Sequence, residues 1–553
     1  MKEEIKKFFK GEIFDDEETL KKYSRDASLL KVLPKLVVYP KDTTDLANLV
    51  RYVAFKKQTD PSISITVRAA GSCMSGGSLN ESIVADVTQH LNSFLINQKQ
   101  SEATVQPGVL YKDFELSTLN FELILPCFPA SKNLCALGGM IGNNCAGEKT
   151  LRYGKMENFI LESKVIFADG KEYIVKPLSK AELLTKIEQG DFEGNLYKET
   201  YNLLQNNQQL IQDAKPTVSK NSAGYYLWNV QHRVLNKRED QEVFDLNKLL
   251  VGSQGTLGIM TEAKIKLVPV EPVSKLFVVF LPNLNKLADL VNEILPTGPE
   301  SVEAYDDATL KLAFKFFPDM LRTLKPKHFT KLLLSFIPEG LMMLRGGFPK
   351  MVILVEYCGQ TEKEVSEKLM VLEKKIARFN LLTRAVHSQE ESDKYWTIRR
   401  ESFNLLRRHV KGKRTAPFVD DVVVQPKDMP EFLPKMKKIL DEYKLSYAIS
   451  GHAGNGNFHI IPLMDMRDRK NVGVIKEVGE RVYNLVAEYH GSITGEHNDG
   501  IIRTPYLGKM YSPEMLELFK KTKEIFDPQN IFNPSKKVGC SIEYMTNHIA
   551  VEL

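Results

Sequence analysis

Three glycine-rich loops in the first half of the chain set the strongest limit on its fold. Arg68-Ala69-Ala70-Gly71-Ser72-Cys73-Met74-Ser75-Gly76-Gly77 follows the apolar run Ile63-Ser64-Ile65-Thr66-Val67. Leu137-Gly138-Gly139-Met140-Ile141-Gly142-Asn143-Asn144-Cys145-Ala146-Gly147 and Gly252-Ser253-Gln254-Gly255-Thr256-Leu257-Gly258-Ile259 come later. Glycine lets backbone approach a ligand closely, and successive N–H groups in such turns make a concave site for a pyrophosphate. None of the loops is a Walker loop or the G-x-G-x-x-G of a dinucleotide turn. A single loop reads as a structural turn. Three in one region imply a long ligand held mainly by main chain.

Around these loops, short apolar runs such as Ile83-Val84-Ala85-Asp86-Val87 alternate with helical stretches, an α+β pattern. At 553 residues the chain exceeds what one hydrophobic core supports, so two or more domains are expected. From about Val273 the texture changes: strand candidates Leu276 to Leu281 and Met351 to Tyr357 alternate with charged periodic stretches at 284–295 and 360–379, a second α+β region. A third zone starts near Leu445 and ends in a helix and the tail Asp527-Pro528-Gln529-Asn530-Ile531-Phe532-Asn533-Pro534.

Bulk properties exclude more than they assign. Net charge of +5 is small for this length and no nucleic-acid motif occurs, so no nucleic-acid partner is expected. The six cysteines, at 73, 127, 135, 145, 358 and 540, form no C-x-x-C pair, which argues against a zinc ribbon or disulfide framework and fits a reducing compartment. Met1 to Asp26 mixes Lys and Glu without an apolar signal region and reads as an exposed amphipathic helix, which places the protein in the cytoplasm. No apolar run reaches the ~18 residues of a transmembrane helix.

Chemistry gathers late in the chain. Gly451-His452-Ala453-Gly454-Asn455-Gly456-Asn457-Phe458-His459 is followed by Thr494-Gly495-Glu496-His497, which collects three histidines and a carboxylate on glycine-rich segments. A neutral imidazole binds a metal or takes a proton near neutral pH. On residue types alone two readings stay open: histidines that only hydrogen-bond within loops, or a reaction centre.

The order of these elements is a signature. Three glycine loops, then Trp396-Thr397-Ile398-Arg399, then G-H-x-G-x-G-N-x-H, then T-G-E-H, then D-P-x-x-x-x-N-P resembles the FAD-dependent D-2-hydroxyacid dehydrogenases over about residues 32 to 538. That family is of the vanillyl-alcohol oxidase type. The resemblance implies an N-terminal helical extension at 1–31, a two-part α+β FAD-binding domain of p-cresol methylhydroxylase type at 32–271, an α+β substrate cap with the C-terminal segment returning to the flavin at 272–538, and a tail at 539–553. Gln254, Asn455 and Asn498-Asp499 stand where the family usually has Glu, Asp and Gly-Ile.

Carried over by position, the resemblance places the FAD pyrophosphate on the loop Ala70, Gly71, Ser72, Cys73, Ser75, Gly76 and Gly77. Gly138, Gly139, Gly142 and Asn143 would follow the ribityl chain and ring, and Ile259 the adenosine end. The first loop holds no histidine, so FAD is expected without a covalent bond. The resemblance makes His452, His459 and Glu496 ligands of a divalent ion, zinc or manganese, able to polarise a substrate hydroxyl. His497 is the candidate general base, with a pKa suited to an alcohol proton, and Arg399 the candidate clamp for the substrate carboxylate.

The expected activity is oxidation of a D-2-hydroxy acid, with D-lactate the default substrate and D-2-hydroxyglutarate or glycolate the alternatives. Electrons would pass to a cytochrome, quinone or electron-transfer flavoprotein. An alkylglycerone-phosphate synthase-like transferase and a non-catalytic flavin-binding subunit are readings of other classes. Between 311 and 350 eight Lys/Arg interleave with Phe316-Phe317 and Leu341-Met342-Met343-Leu344. That segment is either a solvated basic face of the cap or a peripheral contact with anionic lipid on the inner face of a membrane.

Overall fold

In the computed structural model, which describes residues 1–235, 240–316, 347–410 and 412–552, the first glycine loop follows the strand Ile65–Arg68, the second forms the helix Leu137–Asn143 and the turn after it, and the third joins the helix Asn247–Leu250 to the strand Ile259–Lys266. The first sheet has the order Glu12–Phe14, Leu36–Tyr39, Ile83–Asp86, Ile65–Arg68, with the last three strands parallel. Phe532, in the C-terminal tail, bridges Ile65 in parallel at its far edge. A second, antiparallel sheet runs Phe94–Asn97, Glu102–Val105, Ile259–Lys266, Ile160–Ile166, Glu172–Val175. These two are the larger sheets of the first half of the chain.

The exposed N-terminal helix expected from the Lys/Glu pattern is not what forms. Helices Lys2–Ile5 and Glu17–Tyr23 flank the strand Glu12–Phe14, which pairs with Leu36–Tyr39. Ile5, Phe9 and Tyr23 are buried, because an edge strand needs apolar cover that a mixed Lys/Glu pattern does not advertise.

The second half is built on a seven-stranded antiparallel sheet, in the order Leu382–Ala385, Val273–Leu281, Met351–Gly359, Ser301–Asp306, Ile449–His452, Asn457–Ile460, Val422–Val423. Both faces are covered, and the strand Val273–Leu281 records it in its alternation. Leu276, Val278 and Phe280 meet Leu310, Tyr395 and Trp396 on one face. Phe277, Val279 and Leu281 join Leu290, Ile294, Leu372 and Phe432 on the other. The helices Leu287–Ile294 and Glu362–Ile376 fall within the periodic stretches at 284–295 and 360–379. The third zone is not separate: its strands Ile449–His452 and Asn457–Ile460 complete this sheet.

Of the basic segment, Lys311 and Lys315 lie on the helix Asp307–Lys315 and Lys350 immediately before the strand Met351–Gly359, whereas residues 317–346 lie outside the described residues. Among the described residues no helix is long and apolar enough to cross a membrane.

Candidate active site at the junction of the two halves

The glycine loops and the histidine cluster open onto one cavity of about 760 Å³, within the usual range for a small-molecule site. Its wall includes Ala70 to Met74 and Gly77 of the first loop, Gly138, Gly139, Gly142 and Asn143 of the second, and Ser253 to Gly255 with Ile259 of the third. Arg399, Arg400, Asp420, His459, Glu496 and His497 line it as well.

The second cluster forms the helix Leu137–Asn143. Gly139 and Gly142 are one turn apart on its cavity face, and a Cβ on either would meet nothing closer than 3.8 Å. That is a groove that side chains would fill, so these residues suit a flat or extended cofactor. Gly138 is glycine for another reason: its Cβ would strike Pro107, whose carbonyl accepts the Gly138 N–H at 2.8 Å.

Two expected cofactor residues turn away from the cavity. The Ser75 carbonyl accepts the N–H groups of Ile501 and Ile502 at 2.8 and 3.2 Å, and its hydroxyl donates to the His497 carbonyl at 3.1 Å. Gly76, at φ +81°, faces Leu30 and Ile501, where a Cβ would lie 2.5 Å from Leu30 Cδ1. The first loop therefore has two faces: Gly71 to Met74 and Gly77 serve the cavity, and Ser75-Gly76 anchors the returning C-terminal segment.

The stretch from Gly451 to His459 is a β-hairpin, Ile449–His452 paired with Asn457–Ile460. Its turn closes at Gly456, φ +67°, where any Cβ would collide with the Val424 carbonyl. His452 pairs with Asn457, and His459 with Ser450, so both imidazoles project from the same face of the hairpin. Their ring centroids are 5.3 Å apart, and His497 stacks on His459 at 5.2 Å.

Each imidazole turns Nδ1 to a carboxylate and Nε2 to Glu496. His452 Nδ1 lies 2.5 Å from Glu303 Oε1, His459 Nδ1 3.3 Å from Asp420 Oδ1, and His497 Nδ1 2.8 Å from Asp420 Oδ2. The three Nε2 atoms stand 3.6, 3.3 and 3.7 Å from Glu496 oxygens. The Asp420 contacts are close but bent, so His459 Nδ1, His497 Nδ1 and Asp420 Oδ2 each lack a straight hydrogen bond. One nitrogen of each of His452 and His459 and one Glu496 oxygen lie within 4.8 Å of one another, a His₂Glu donor set that fits a divalent ion.

Burial would raise Glu496, but Lys220 and His452 hold it well below the usual carboxylate range. Asp420 is likewise depressed: the charge of His497 and the His459 hydrogen bond overcome its burial. For His459, burial works downward and is outweighed by Asp420 and Glu496, which push it up to about 10. His497 is raised against its burial by Asp421 and Asp420.

Several residues that organise the site carry no motif. The Lys220 ammonium, fully buried, reaches Glu496 Oε2 at 3.1 Å, Asn457 Oδ1 at 3.3 Å and the Gly147 carbonyl at 3.4 Å. Asp421 sits in the left-handed region at φ 72°, and its Oδ2 accepts Thr494 Oγ1 and the N–H groups of Glu496 and His497 at 2.7, 2.9 and 2.7 Å. Its Oδ1 accepts Asn457 Nδ2 at 3.0 Å. One buried carboxylate thus shapes the whole T-G-E-H turn. The only readable signal was two acids inside the apolar run Phe418-Val419-Asp420-Asp421-Val422-Val423-Val424.

Arg399 is only 11% exposed, with Nε and Nη2 each 3.0 Å from Glu303 Oε2 and Nη1 3.3 Å from Ser450 Oγ. Glu303 therefore joins Arg399 to His452. Arg400 bonds Glu148 of the first half at 2.6 Å and stacks on Trp396. Gln254, Asn498 and Asp499 also connect the halves. Gln254 Oε1 accepts the Gly500 N–H at 2.8 Å, and Asn498 Nδ2 donates to the carbonyls of Asn143 and Gly252. Asn455 spends its amide on Ser219 and does not join the histidines.

Residues 34–176 match the FAD binding domain family, and residues 270–537 match the family of FAD linked oxidases, C-terminal domain. A D-2-hydroxyglutarate dehydrogenase of Pseudomonas putida is 27% identical over 536 residues, which cover 96% of this chain and 50% of that protein. The glycolate oxidase subunit GlcD of Bacillus subtilis is 25% identical over 547 residues, covering 97% and 96%. The chain spans about half the length of the D-2-hydroxyglutarate dehydrogenases of Pseudomonas putida and Escherichia coli, 50% and 49%. Among solved structures, p-cresol methylhydroxylase with substrate bound superposes with a TM-score of 0.66 at 14% identity, over 96% of this chain and 94% of that one. An alkyldihydroxyacetonephosphate synthase does so with 0.64 at 15%, over 97% and 84%. At these identities both structures speak to the fold alone.

Proposed function

We propose, from the premise that the chain belongs to the FAD-linked oxidases and carries both of that family's domains, that it oxidises a D-2-hydroxy acid to the 2-oxo acid and passes the electrons to a cytochrome, quinone or flavoprotein acceptor. The observation that carries this reading is the convergence of three imidazole Nε2 atoms on Glu496 at the wall of the cavity lined by the glycine loops. In this reading residues 32–271 hold FAD and 272–538 hold the substrate. FAD supplies a hydride acceptor. Burial pushes the Cys73 and Cys145 thiols upward, away from the thiolate that covalent attachment would need, which supports non-covalent binding.

The chain's own residues divide the remaining work. Glu303 bonds Nδ1 of His452 and Asp420 lies beside Nδ1 of His459, so that each Nε2 is turned toward Glu496, the arrangement expected around a metal. His452, His459 and Glu496 would hold a zinc or manganese ion, whose chemistry there is to polarise the substrate oxygen. His497 receives the hydroxyl proton at Nε2, and Asp420 at Nδ1 balances the charge that arrives. Arg399, fixed by Glu303, offers its guanidinium to the substrate carboxylate. Arg400 also lines the cavity, and two guanidiniums suit a diacid, so D-2-hydroxyglutarate is placed ahead of D-lactate.

Anaerobic titration of the purified holoprotein with D- and L-2-hydroxy acids tests the reading. Bleaching of the flavin's visible absorbance by a D acid and not by its L enantiomer is the expected result. A flavin that no 2-hydroxy acid reduces would refute it.

A further inference from the structure

Lys220 belongs to no helix or strand, yet its backbone is fixed on both sides of the candidate ion site. The Ser219 hydroxyl donates to the Asn455 carbonyl at 3.1 Å and accepts Asn455 Nδ2 at 3.0 Å, which ties this strap to the histidine hairpin. Ser222 gives its N–H to the Thr494 carbonyl and its hydroxyl to the Gly495 carbonyl, both at 2.8 Å, which ties it to the T-G-E-H turn. The Lys537 ammonium, itself paired with Asp499, closes on the Ser222 and Gly224 carbonyls at 2.9 Å. The Lys220 side chain runs inward between hairpin and turn and is fully buried. Its ammonium meets one acceptor from each neighbour: Glu496 Oε2 of the turn, Asn457 Oδ1 of the hairpin and the carbonyl of Gly147 at the end of the second glycine cluster. Lys220 is not part of the cavity wall, so it acts through Glu496.

Charge explains why a lysine stands there. Glu303, Asp420, Asp421 and Glu496 are all buried around the histidines. Glu303 has Arg399 at 3.0 Å, whereas Lys220 is the only lysine or arginine paired with Glu496 among the described residues. The imidazoles cannot replace it and also serve as ligands, because a ligand nitrogen must be free of its proton to bind an ion. A buried carboxylate deprived of its partner is strongly destabilising. An empty set of His452, His459 and Glu496 therefore needs a resident cation to stay assembled.

We propose that Lys220 is the positioning residue of the ion site: it is the counter-charge of Glu496 and keeps hairpin, turn and second glycine cluster together, so that the ligands are in place before a divalent ion arrives. The inference rests on the reading of His452, His459 and Glu496 as ion ligands and is independent of which hydroxy acid is oxidised. It also gives the strap at Ser219 to Ser222, a part of the first half of the chain, a task in the chemistry of the second.

The test strips holoprotein of metal with a chelator and reads its thermal midpoint by circular dichroism with and without added zinc, so it requires no turnover. Lys220→Met, a change of similar volume, should lower the midpoint of the stripped protein by roughly 5 °C or more. Zinc should then raise that midpoint further than it raises the parent's, because the ion supplies the charge that was removed. Recovery stays partial, since the bonds to Asn457 and Gly147 are still missing. A lysine that only fills space and makes bonds leaves parent and variant gaining alike from zinc. That result overturns the proposal and spares the ligand assignment, as does an unchanged midpoint in stripped Lys220→Met. Zinc that stabilises neither protein overturns the ligand assignment and this proposal with it. If Lys220→Met yields no folded protein, the double variant Lys220→Met/Glu496→Gln decides. With the charge gone from both partners it should fold without zinc, and failure to do so overturns the proposal.

Discussion

Replacing Asp421 with asparagine removes one oxygen and one charge from the centre of the T-G-E-H turn, and its effect can be worked out bond by bond. The three donors at Oδ2, Thr494 Oγ1 and the N–H groups of Glu496 and His497, keep an acceptor but lose its charge. A charge-assisted bond is about twice as strong as a neutral one, which puts this loss at roughly 0.5–1 kcal/mol each. At Oδ1 the new amide would face Asn457 Nδ2, two donors 3.0 Å apart, at a cost of about 1–3 kcal/mol. Asn457 cannot flip to relieve this, because its Oδ1 accepts the Lys220 ammonium. The expected destabilisation is about 3–5 kcal/mol, a large share of the ~5–15 kcal/mol that holds a protein folded. Urea unfolding of the holoprotein, followed by flavin fluorescence and circular dichroism, measures it. Adding Asn457→Asp restores a donor–acceptor pair with its polarity reversed and sets the new carboxylate beside Lys220. Asn457→Asp also gives up the bond from Asn457 Nδ2 to the Val422 carbonyl at 3.3 Å, so the double variant should recover only part, about 1 kcal/mol, of what Asp421→Asn loses. A single variant that unfolds with the parent, or a double variant weaker than Asp421→Asn, would refute the reasoning.

The other predictions address the cavity and the proposed chemistry. Gly139→Leu should fill the open groove and yield folded, colourless protein, measured as flavin absorbance per chain. Gly76→Ala should lower the unfolding midpoint instead, because its Cβ meets Leu30 in a left-handed backbone. His452→Ala and His459→Ala should each lose divalent metal by elemental analysis while retaining FAD, and stoichiometric metal in both would defeat the ligand assignment. His497→Ala should keep FAD and metal but slow anaerobic flavin reduction by roughly 10² to 10⁴-fold, read in stopped flow. Reduction at the parental rate would remove His497 from the base role.

Much of this was legible in the sequence because the informative residues are glycines and histidines in short spacings. The run Gly451 to His459 reads as a loop and is a hairpin, since its period-2 register sets His452 and His459 on one face while glycines make the turn and the close strand approach. Lys220 and Glu303 were not legible, and Asp420 and Asp421 showed only as two acids in an apolar run. Each acts across a long sequence separation, as in the contact of Lys220 with Glu496, and a buried ammonium or carboxylate has no periodicity to betray it. The placement of Ser75 and Gly76 was not legible for a related reason. A glycine-rich loop does not reveal which of its faces meets the ligand, and only the Ile501 and Ile502 N–H groups settle that Ser75 turns the other way.

The tail strand at Ile531 to Asn533 has a consequence for the order in which the molecule can be made. Ile65 donates to the Ile531 carbonyl at 2.8 Å and accepts the Asn533 N–H at 2.9 Å, and the Asn533 amide donates to the carbonyls of Gly77 and Gln254. As the chain leaves the ribosome, the edge at Ile65 to Arg68 stays open until residue 533 has emerged, long after both sheets of the first half have been synthesised. An open parallel edge beside an empty apolar cavity is a surface that other nascent chains can join. With so many of its decisive contacts far apart in sequence, the first half is completed only by residues from the end of the chain.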